Sequence, residues 1–316
     1  QLLAELERLY ELGWRRSVFI VDDNFIGDRN RARQLLKQLI EWQRRHYYPF
    51  SFDTQASIDL ARDDELLRLM ADANFGMIFL GIETPDLDSL EAVGKRQNTR
   101  QPMLEAIEAI QRAGMVPAAG LIIGFDGEAP GAGRRIERFM EEAAIPETTF
   151  SMLQALPNTA LRRRLEREGR MLRSHESDIN QSTLMNFVPT RPIEEIAREY
   201  VEAFCNLYDP IRYLERCYRC VVRMPPPPPR PRNPDSGWIE LPSWTDLRAV
   251  LKVAWRQGAV RKSRWRFWRR LACMLARNPG QLGRFLILCA HNEHFIHFRE
   301  TVRKEIERQI AQLSRG

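Results

Sequence analysis

Cysteine is scarce in this sequence, and its few copies fit no disulfide framework. The 316 residues contain five cysteines, an odd number that is too small to cross-link a chain of this length. Such sparse use is typical of a reducing compartment, so we expect a cytoplasmic protein. No apolar run approaches the roughly 20 residues that a membrane-spanning helix needs. The sequence therefore excludes a small disulfide-rich scaffold and an integral helical membrane protein.

Lysine is rare as well, because only five of the 48 cationic residues are lysines. We attribute this uniform excess of arginine to codon composition and not to phosphate recognition. The net charge of +6 is unevenly distributed along the chain. Residues 236–316 hold 16 Arg and Lys against 6 Asp and Glu, a net +10, whereas the remainder holds 32 against 36, a net −4. The basic character therefore belongs to the C-terminal region.

Glycine-rich nucleotide loops are missing too, since neither a GxGxxG run nor a phosphate-loop motif occurs. What is present is a regular alternation of strand-like and helix-like segments up to residue 160. This alternation predicts parallel βαβ units, and the apolar strands indicate that both faces of the sheet are covered. The predicted strands are 17–21, 50–54, 77–80, 116–123 and 149–153, and the predicted helices are 1–12, 28–45, 63–73, 86–93, 100–113 and 132–143.

Polar residues follow every predicted strand. In α/β barrels the active site is built at the C-terminal ends of the strands, whereas a doubly wound sheet concentrates its ligand contacts at one switch point. The predicted fold class is therefore α/β, in the form of a barrel or partial barrel. The residues at the five strand ends are, in order, Asp22 with Asp23 and Asn24, then Gln55, then Glu83 with Thr84, then Gly124 to Asp126, and finally Gln154.

After residue 160 the alternation ends and helical patterns dominate. Residues 190–208 predict an amphipathic helix with Pro192 in its first turn. Residues 224–234 contain seven prolines in eleven positions, which is typical of an extended spacer or surface segment and not of a core. We expect a barrel over 1–160, a helical extension over 161–223, a proline-rich linker over 224–237 and a basic helical region over 238–316.

Three runs at the predicted strand ends are candidates for ligand binding. In run 81–85 a glycine permits close approach of a ligand and Glu83 can accept hydrogen bonds from ribose hydroxyls or an ammonium group; a solvated loop is the alternative. Asp22 and Asp23 could hold an amine or a metal ion, although such a pair more often caps the following helix. The glycines of run 120–125 leave backbone groups open to a flat heteroaromatic ring, and a tightly packed strand explains them equally well.

Taken together and in this order, these runs resemble the radical S-adenosylmethionine (SAM) superfamily. The closer likeness is to its cobalamin-binding branch with a characteristic C-terminal domain, which includes relatives of hopanoid methylases. The resemblance covers at least residues 1–222, and the combination of runs is what makes it specific. The matching runs are FIVDDNF (19–25), FDTQASIDLA (52–61), FLGIETPDLDSL (79–90), GKRQNT (94–99), GLIIGFDGE (120–128), MLQALPNTAL (152–161), EGRM (168–171) and LMNFVPTRP (184–192).

The resemblance implies that the strand ends hold SAM. Run 22–24 matches the positions that receive the SAM amino group, although Asp-Asp-Asn replaces the usual Gly-Gly-Glu. Glu83 matches the residue that contacts the ribose or the methionine carboxylate, and run 122–124 matches the backbone that contacts adenine. The SAM-binding residues implied in this way are Asp22, Asp23, Asn24, Gln55, Glu83, Ile122, Gly124 and Gln154.

The largest departure from the family concerns its metal centre. Members hold a [4Fe–4S] cluster with a CxxxCxxC motif after the first barrel strand, and thiolate ligation tunes the potential of such a cluster. All five cysteines here lie after the predicted barrel, and none forms that triplet. Because the chain opens on Gln1 inside a helical pattern, we expect a piece of a longer protein, with the first strand, the cluster loop and a cobalamin domain upstream. The implied fold is a partial (β/α) TIM-like barrel that lacks its first strand, followed by a mainly helical C-terminal domain.

The activity implied is that of a cobalamin-dependent radical SAM enzyme, of which this chain is the C-terminal part. Such an enzyme cleaves SAM reductively to a 5′-deoxyadenosyl radical, and we expect methylation or another radical modification of an unactivated carbon. The expected partners are an external electron donor and a small-molecule substrate, with lipids among the candidates. No residue is assigned a catalytic role, and the piece alone is expected to be inactive.

Two other functions remain open. Asp22, Asp23 and Glu83 could form the divalent-metal site of a barrel hydrolase or lyase, although no His or Lys stands at a strand end to complete it. Alternatively, residues 236–316 could form a non-catalytic module that docks on membranes or RNA, although we expect no nucleic-acid partner for the enzyme.

Run 261–270 interleaves cations with three aromatic residues and could contact anionic lipid at the inner face of the membrane. The interpretation that we favour is an amphipathic helix that buries Trp265 and Trp268 against the domain.

Two further groups suggest metal chemistry only weakly. Cys217 and Cys220 form a CxxC in a helical run, but no second pair stands at a suitable spacing. His291, His294 and His297 would fan over about 120° of a helix, which is awkward for three ligands of one metal. We therefore interpret both groups as packing or surface residues.

Overall fold

The computed structural model describes residues 1–85, 103–172, 180–231 and 244–313. At its centre is a parallel sheet whose strands lie side by side in the order in which they occur in the chain. Sequential order requires all crossovers to run in one direction, so the crossover helices share one face of the sheet. This is the wall of a barrel, and the predicted α/β partial barrel is confirmed. The strands are β1 (Ser17–Ile20), β2 (Ser51–Ala56), β3 (Phe75–Glu83), β4 (Val116–Ile123) and β5 (Glu147–Met152).

The helices of the first half begin at residues that cap them. The Asp28 carboxylate accepts hydrogen bonds from the N–H groups of Asn30 and Arg31 at 3.1 and 3.0 Å, which satisfies two free donors of the helix N-terminus. Because Asp28 caps this helix, the interpretation of Asp22 and Asp23 as its cap is wrong. These helices are α1 (Leu2–Glu11), α2 (Arg29–Arg45), α3 (Asp64–Asp72), α4 (Met103–Arg112) and α5 (Ala132–Ala143).

The two faces of the sheet differ in burial. On β3, Ile78, Leu80 and Ile82 are fully buried in the main core, whereas the alternate residues Met77 and Phe79 are only partly buried. Because side chains alternate between faces along a strand, the second set lies on the face away from the crossover helices. That face is the inside of the barrel wall, and it is where a ligand has access.

The edge of the sheet formed by β1 is more exposed than its apolar sequence predicts. Phe19 is 43% exposed and Val21, just beyond the strand, is 89% exposed. The prediction of a buried strand over 17–21 is therefore wrong. The expectation of apolar strands also fails on β2, where the partly exposed Asp53 and Gln55 alternate with buried residues.

The second half of the chain is helical, as predicted, and one long helix runs the height of the sheet. Near the start of this helix, which spans Leu282–Leu313, Arg284 donates to the carbonyl of Gly114, which precedes β4, at 2.5 Å. Near its end, Gln309 accepts from the N–H of Leu184 at 2.9 Å. The helices are α6 (Ala160–Arg167), α7 (Ile193–Leu207), α8 (Pro210–Val222), α9 (Trp244–Trp255), α10 (Arg264–Arg277) and α11 (Leu282–Leu313).

The C-terminal region covers the β5 edge of the sheet with side chains. The Tyr208 hydroxyl donates to the carbonyl of Thr148 at 2.8 Å and accepts from its N–H at 3.0 Å. The N–H of Phe150 donates to Gln181 at 3.0 Å, and the Tyr200 hydroxyl donates to the Phe150 carbonyl at 2.8 Å. These contacts satisfy backbone groups that another strand would otherwise pair.

The proline-rich segment packs across the N-terminal ends of the strands. Pro225 lies 3.7 Å from the position of a Cβ added to Gly114, and Arg230 donates to the Asn74 side chain at 2.5 Å. Residues 225–229 are exposed, in keeping with a surface segment. The helix over 86–93 and the run GKRQNT (94–99) lie outside the described residues. Partly outside them are the run FLGIETPDLDSL (79–90), the helix over 100–113, the extension over 161–223, the linker over 224–237 and the basic region over 238–316.

Candidate cofactor-binding site

Glu83 ends β3 in a backbone conformation that is uncommon for any residue with a side chain. Its φ is +68°, and the pairing with β4 is irregular between Gly81 and Glu83. The carboxylate lies over the inside face, since Oε1 of Glu83 is 3.4 Å from the position of a Cβ added to Gly81. Such strain persists only where the surroundings enforce it, and it is concentrated at functional sites.

The strand register gathers further predicted residues on the same face. Gln55 on β2 lies beside Phe79 on β3, and Gly81 lies beside Gly120 on β4. The Phe79 ring lies over Gly120, where an added Cβ would be 3.0 Å from its Cζ, so the glycine lets this ring pack close to the strand backbone. Ile122 follows Gly120 by two residues and is partly exposed. The residues brought to this face are Gln55, Glu83 and Ile122.

The acidic run after β1 forms an exposed turn at the same end of the sheet. Asp22 Oδ1 accepts from the N–H of Asn24 at 2.9 Å, and Asn24 Oδ1 accepts from the N–H of Ser57 at 3.0 Å. The Asn24 side chain therefore ties the end of β1 to the turn after β2. The carboxylates of Asp22 and Asp23 remain exposed and accessible.

Gly124 follows β4 and has two independent reasons to be glycine. Its φ is +99°, and an added Cβ would lie 2.9 Å from Cε of Met185. Its N–H donates to Oε2 of Glu128 at 2.8 Å, so this amide is already bonded within the chain. Run 120–125 therefore does not leave all of its backbone groups open.

Glu128 is a buried carboxyl group that follows no strand directly and is not among the predicted site residues. It is 2% exposed, and its Oε1 has no hydrogen-bond partner among the described residues. Burial raises its pKa to about 7, against the opposing effect of the Gly124 N–H and the nearby Arg135 and Arg191. The signal that could have found it is the carboxylate four residues after Gly124 in the run GFDGE.

Arg191 and Glu199 join this turn to the C-terminal region. Arg191 forms an ion pair with Glu199 at 2.5 Å, and only 12% of its side chain is exposed. Glu199 also accepts from the N–H of Gly131 at 3.0 Å, at the N-terminus of α5. Because Gly131 and Glu199 lie 68 residues apart, no local pattern could have predicted that contact.

Gln154 lies beyond β5, and only the nitrogen of its side-chain amide is hydrogen-bonded within the described residues. Its Nε2 donates to the carbonyl of Leu184 at 2.7 Å, which fixes the orientation of the group. Its Oε1 is buried and has no hydrogen-bond partner among the described residues. That oxygen is an acceptor for an N–H or O–H group of a ligand.

No metal centre is assembled from the residues that the structure describes. Within them, no three His, Cys, Asp or Glu side chains lie together in a way that could hold a metal ion. Asp22, Asp23 and Glu83 therefore do not form the alternative divalent-metal site. Cys217 and Cys220 are buried on α8, and burial raises the pKa of Cys220 to about 12, so both are poor thiolate ligands.

The histidines of α11 do not converge on one point. His291 contacts Glu147 at 2.7 Å, while the ring of His294 stacks on Phe298 at a centroid distance of 5.4 Å. Their positions agree with packing roles.

Two family models match this chain and divide it near the end of β5. Residues 1–140 match a model described as the radical SAM superfamily, and residues 159–308 match a domain of unknown function, DUF4070. The first match contains β1 to β4 and Glu83, and the second contains α6 to α10 and most of α11.

Two curated proteins are similar over much of the chain. An uncharacterized methyltransferase of Synechocystis is 55% identical over 310 residues, which is 98% of this chain and 57% of that protein. The hopanoid C-2 methylase of Rhodopseudomonas palustris is 38% identical over 216 residues, which is 68% of this chain and 40% of that enzyme. The chain thus spans about half the length of the curated relatives that it matches.

Among solved structures, the radical SAM methyltransferase TsrM of Kitasatospora setae has the same fold. The structure with cobalamin and a [4Fe–4S] cluster bound aligns with a TM-score of 0.50 at 15% identity, covering 96% of this chain and 55% of TsrM. The alignment supports the partial barrel followed by helices.

Proposed function

Since the chain belongs to the radical SAM superfamily, we propose that it is the SAM-facing and C-terminal part of a cobalamin-dependent radical SAM methylase. The observation that carries the proposal is the Glu83 carboxylate, held over the inside face of the sheet by a left-handed backbone at the end of β3. The similarity to two methyltransferases supports the reaction class. The substrate is proposed to be a small molecule with an unactivated carbon, with lipids among the candidates.

The described residues fit SAM by their shape and their donor chemistry. The Phe79 ring lies on the inside face beside Glu83, which offers a carboxylate, and Gln154 offers a buried acceptor oxygen that has no hydrogen-bond partner among the described residues. We assign Glu83 to the ribose or the methionine part, the run 122–124 to adenine, and the exposed run 22–24 to the amino group. When bound, SAM supplies the methyl group and the radical chemistry. The chain's own residues bind it, orient it and exclude water from it.

The iron–sulfur cluster does not fit the described residues. Three of the five cysteines are buried in helices, and no described group of side chains could hold a metal. We therefore assign no cluster ligand and no cobalamin contact to this chain, and propose that both cofactors and the electron-donor site belong to other parts of the longer protein.

The test is to prepare the full-length protein anaerobically and to measure iron, cobalamin and the formation of 5′-deoxyadenosine from SAM. We expect all three to be positive. Full-length protein without iron or 5′-deoxyadenosine formation would overturn the proposal.

The site assignment is tested with Glu83→Gln in the same protein. Loss of a hydrogen bond to a charged group costs about 1.5–3 kcal/mol, so SAM affinity should fall by about tenfold to a hundredfold. Glu108→Gln is the matched control, because Glu108 is exposed on the surface of α4, where it pairs with Arg112. Equal SAM affinity in the two variants would contradict the assignment of Glu83.

A further inference from the structure

Helix α9 has an apolar stripe that faces solvent. Trp244, Leu247, Leu251 and Trp255 recur at i, i+3, i+7 and i+11, the spacing of one helix face. They are 75%, 41%, 58% and 67% exposed, whereas Val253, on the opposite side, is buried. A surface helix of a globular protein normally shows the reverse arrangement, with its apolar stripe against the core.

Helix α10, which follows after one turn of π-helix, repeats this arrangement. Trp265, Trp268 and Leu275 are 75%, 45% and 52% exposed, while Phe267 and Met274 are fully buried. The Trp268 indole donates to the carbonyl of Gly258 at 2.8 Å, and it covers that glycine. The expectation that Trp265 is buried against the domain is therefore wrong, and Phe267 is the aromatic anchor of the helix.

The charges around these stripes have one sign. Residues 244–277 contain ten Arg and Lys but a single Asp. Arg256 and Arg261 pair with Glu293, and Arg270 pairs with Glu215. The other seven cations form no ion pair with a residue that the structure describes, and so they are available to external anions. They are Arg248, Lys252, Lys262, Arg264, Arg266, Arg269 and Arg277.

We infer that α9 and α10 form a docking surface for a lipid bilayer with anionic headgroups. This surface, named here the tryptophan surface, comprises the exposed residues of 244–277. It holds four of the seven tryptophans of the chain, and indole rings favour the boundary between headgroups and acyl chains. The unpaired cations supply attraction to anionic lipid, at short range in physiological salt.

Charge complementarity decides for a bilayer over a second copy of this chain. A two-fold contact between copies would place the same unpaired cations opposite one another, and like charges across an interface are repulsive. Within the described residues no helix is long and apolar enough to cross a membrane. In the proposed arrangement the tryptophan surface rests on the bilayer, with its apolar stripes at the headgroup level.

The test uses the full-length protein and vesicles of phosphatidylcholine, with or without about 30% phosphatidylglycerol. Co-sedimentation measures binding, and quenching by brominated lipids reports whether tryptophans enter the bilayer. We expect saturable binding to the anionic vesicles only, weakened at least about tenfold between about 0.05 and 0.5 M salt. Binding that is independent of anionic lipid, or absent at low salt, would overturn the inference.

Leu251→Glu places a carboxylate in the middle of the α9 stripe. Because Leu251 is 58% exposed, the fold should survive, which a thermal unfolding curve checks. Vesicle affinity should fall at least about tenfold. Leu12→Glu is the matched control, since Leu12 is 68% exposed at the end of α1 and should leave affinity unchanged.

Two results would show another occupant and so overturn the inference. In one, Leu251→Glu changes the oligomeric state of the protein and not its vesicle binding. In the other, the tryptophans of the full-length protein are protected from a water-soluble quencher without lipid, which would mean that upstream residues cover the surface.

Discussion

The two edges of the sheet differ in whether side chains bond the outward backbone groups of the edge strand. At the β5 edge, Tyr208, Tyr200 and Gln181 bond the outward backbone groups of Thr148 and Phe150. At the other edge, β1 is the terminal strand of the described sheet, with Phe19 43% exposed. The C-terminal helices thus act as a substitute for neighbouring strands on one side only. We propose that a strand of the longer protein pairs with β1, which the open edge would accept.

The largest effect is expected at Arg216, on the β5 side. Its side chain is fully buried and donates to Glu141 at 2.7 Å and to the carbonyl of Leu207 at 2.5 Å. Arg216→Ala removes the donor of the buried Leu207 carbonyl and one of the two arginines that pair with Glu141, the other being Arg219, and it should lower the free energy of unfolding by about 3–5 kcal/mol. Urea denaturation measures the loss.

The matched control for Arg216 is Arg212→Ala on the same helix. Arg212 is 51% exposed and pairs with Glu137 at 3.2 Å, so its loss should cost about 0–1 kcal/mol. Equal stability of the two variants would show that the buried contacts of Arg216 do not stabilise the β5 side of the sheet.

The second effect concerns Glu128 and its dependence on pH. Because its pKa is raised from 4.5 to about 7 in the folded protein, the folded state binds more protons between these values. Stability should therefore fall as the pH rises from 4.5 through 7, by on the order of 3 kcal/mol from this group. Glu128→Gln should flatten that slope, as thermal melts at pH 5 and pH 8 would show. An unchanged pH dependence of stability in the variant would contradict a raised pKa of Glu128.

The third effect tests the side-chain cover directly. Tyr208→Phe removes one hydroxyl and leaves both backbone groups of Thr148 without a partner at a buried position. The expected loss is about 1–3 kcal/mol, measured by the same urea titration. Faster hydrogen exchange at the Thr148 amide should accompany it. Hydrogen exchange at the Thr148 amide that is as slow as in the unaltered protein would mean that the Tyr208 hydroxyl does not protect this edge of the sheet.

The smallest effect is expected at the open edge. Phe19→Thr keeps a residue suited to a strand and removes a ring that is 43% exposed. It should change the stability of this chain by about 0.5 kcal/mol or less. In the full-length protein the same substitution should cost more, because we propose that β1 is covered there. Equal small losses in both proteins would show that the edge stays open.

Local patterns predicted the elements of this fold well. The strand over 116–123 and the helix over 132–143 coincide with β4 and α5, and the partial barrel follows from polar residues at every strand end. The resemblance to the superfamily and to hopanoid methylase-like relatives is confirmed by the matches. Burial was harder to predict, since the run SVFIV reads as a core strand and only its place at the edge exposes Phe19.

The candidate site was only partly visible in the sequence. Glu83 and Gln55 could be placed because they follow strands, and strand ends meet at one edge of a parallel sheet. Glu128 and Met185 could not, because their importance lies in contacts with Gly124 that only the folded chain creates. The assignment of Asp22, Asp23 and Asn24 to the SAM amino group stays a prediction.

The length of α11 has a consequence for how the two segments of this chain depend on each other. Because this helix bonds the chain before β4 at one end and the segment beside Gln154 at the other, it fastens both ends of the sheet to the C-terminal region. The stability of each of the two segments that match separate family models therefore depends on the other. If the chain were cut between the two segments, the backbone groups of β5 that the C-terminal region now bonds would be exposed to solvent and could pair with another chain. An exchange of either segment for that of a relative would therefore have to preserve the contacts that α11 makes at both ends of the sheet.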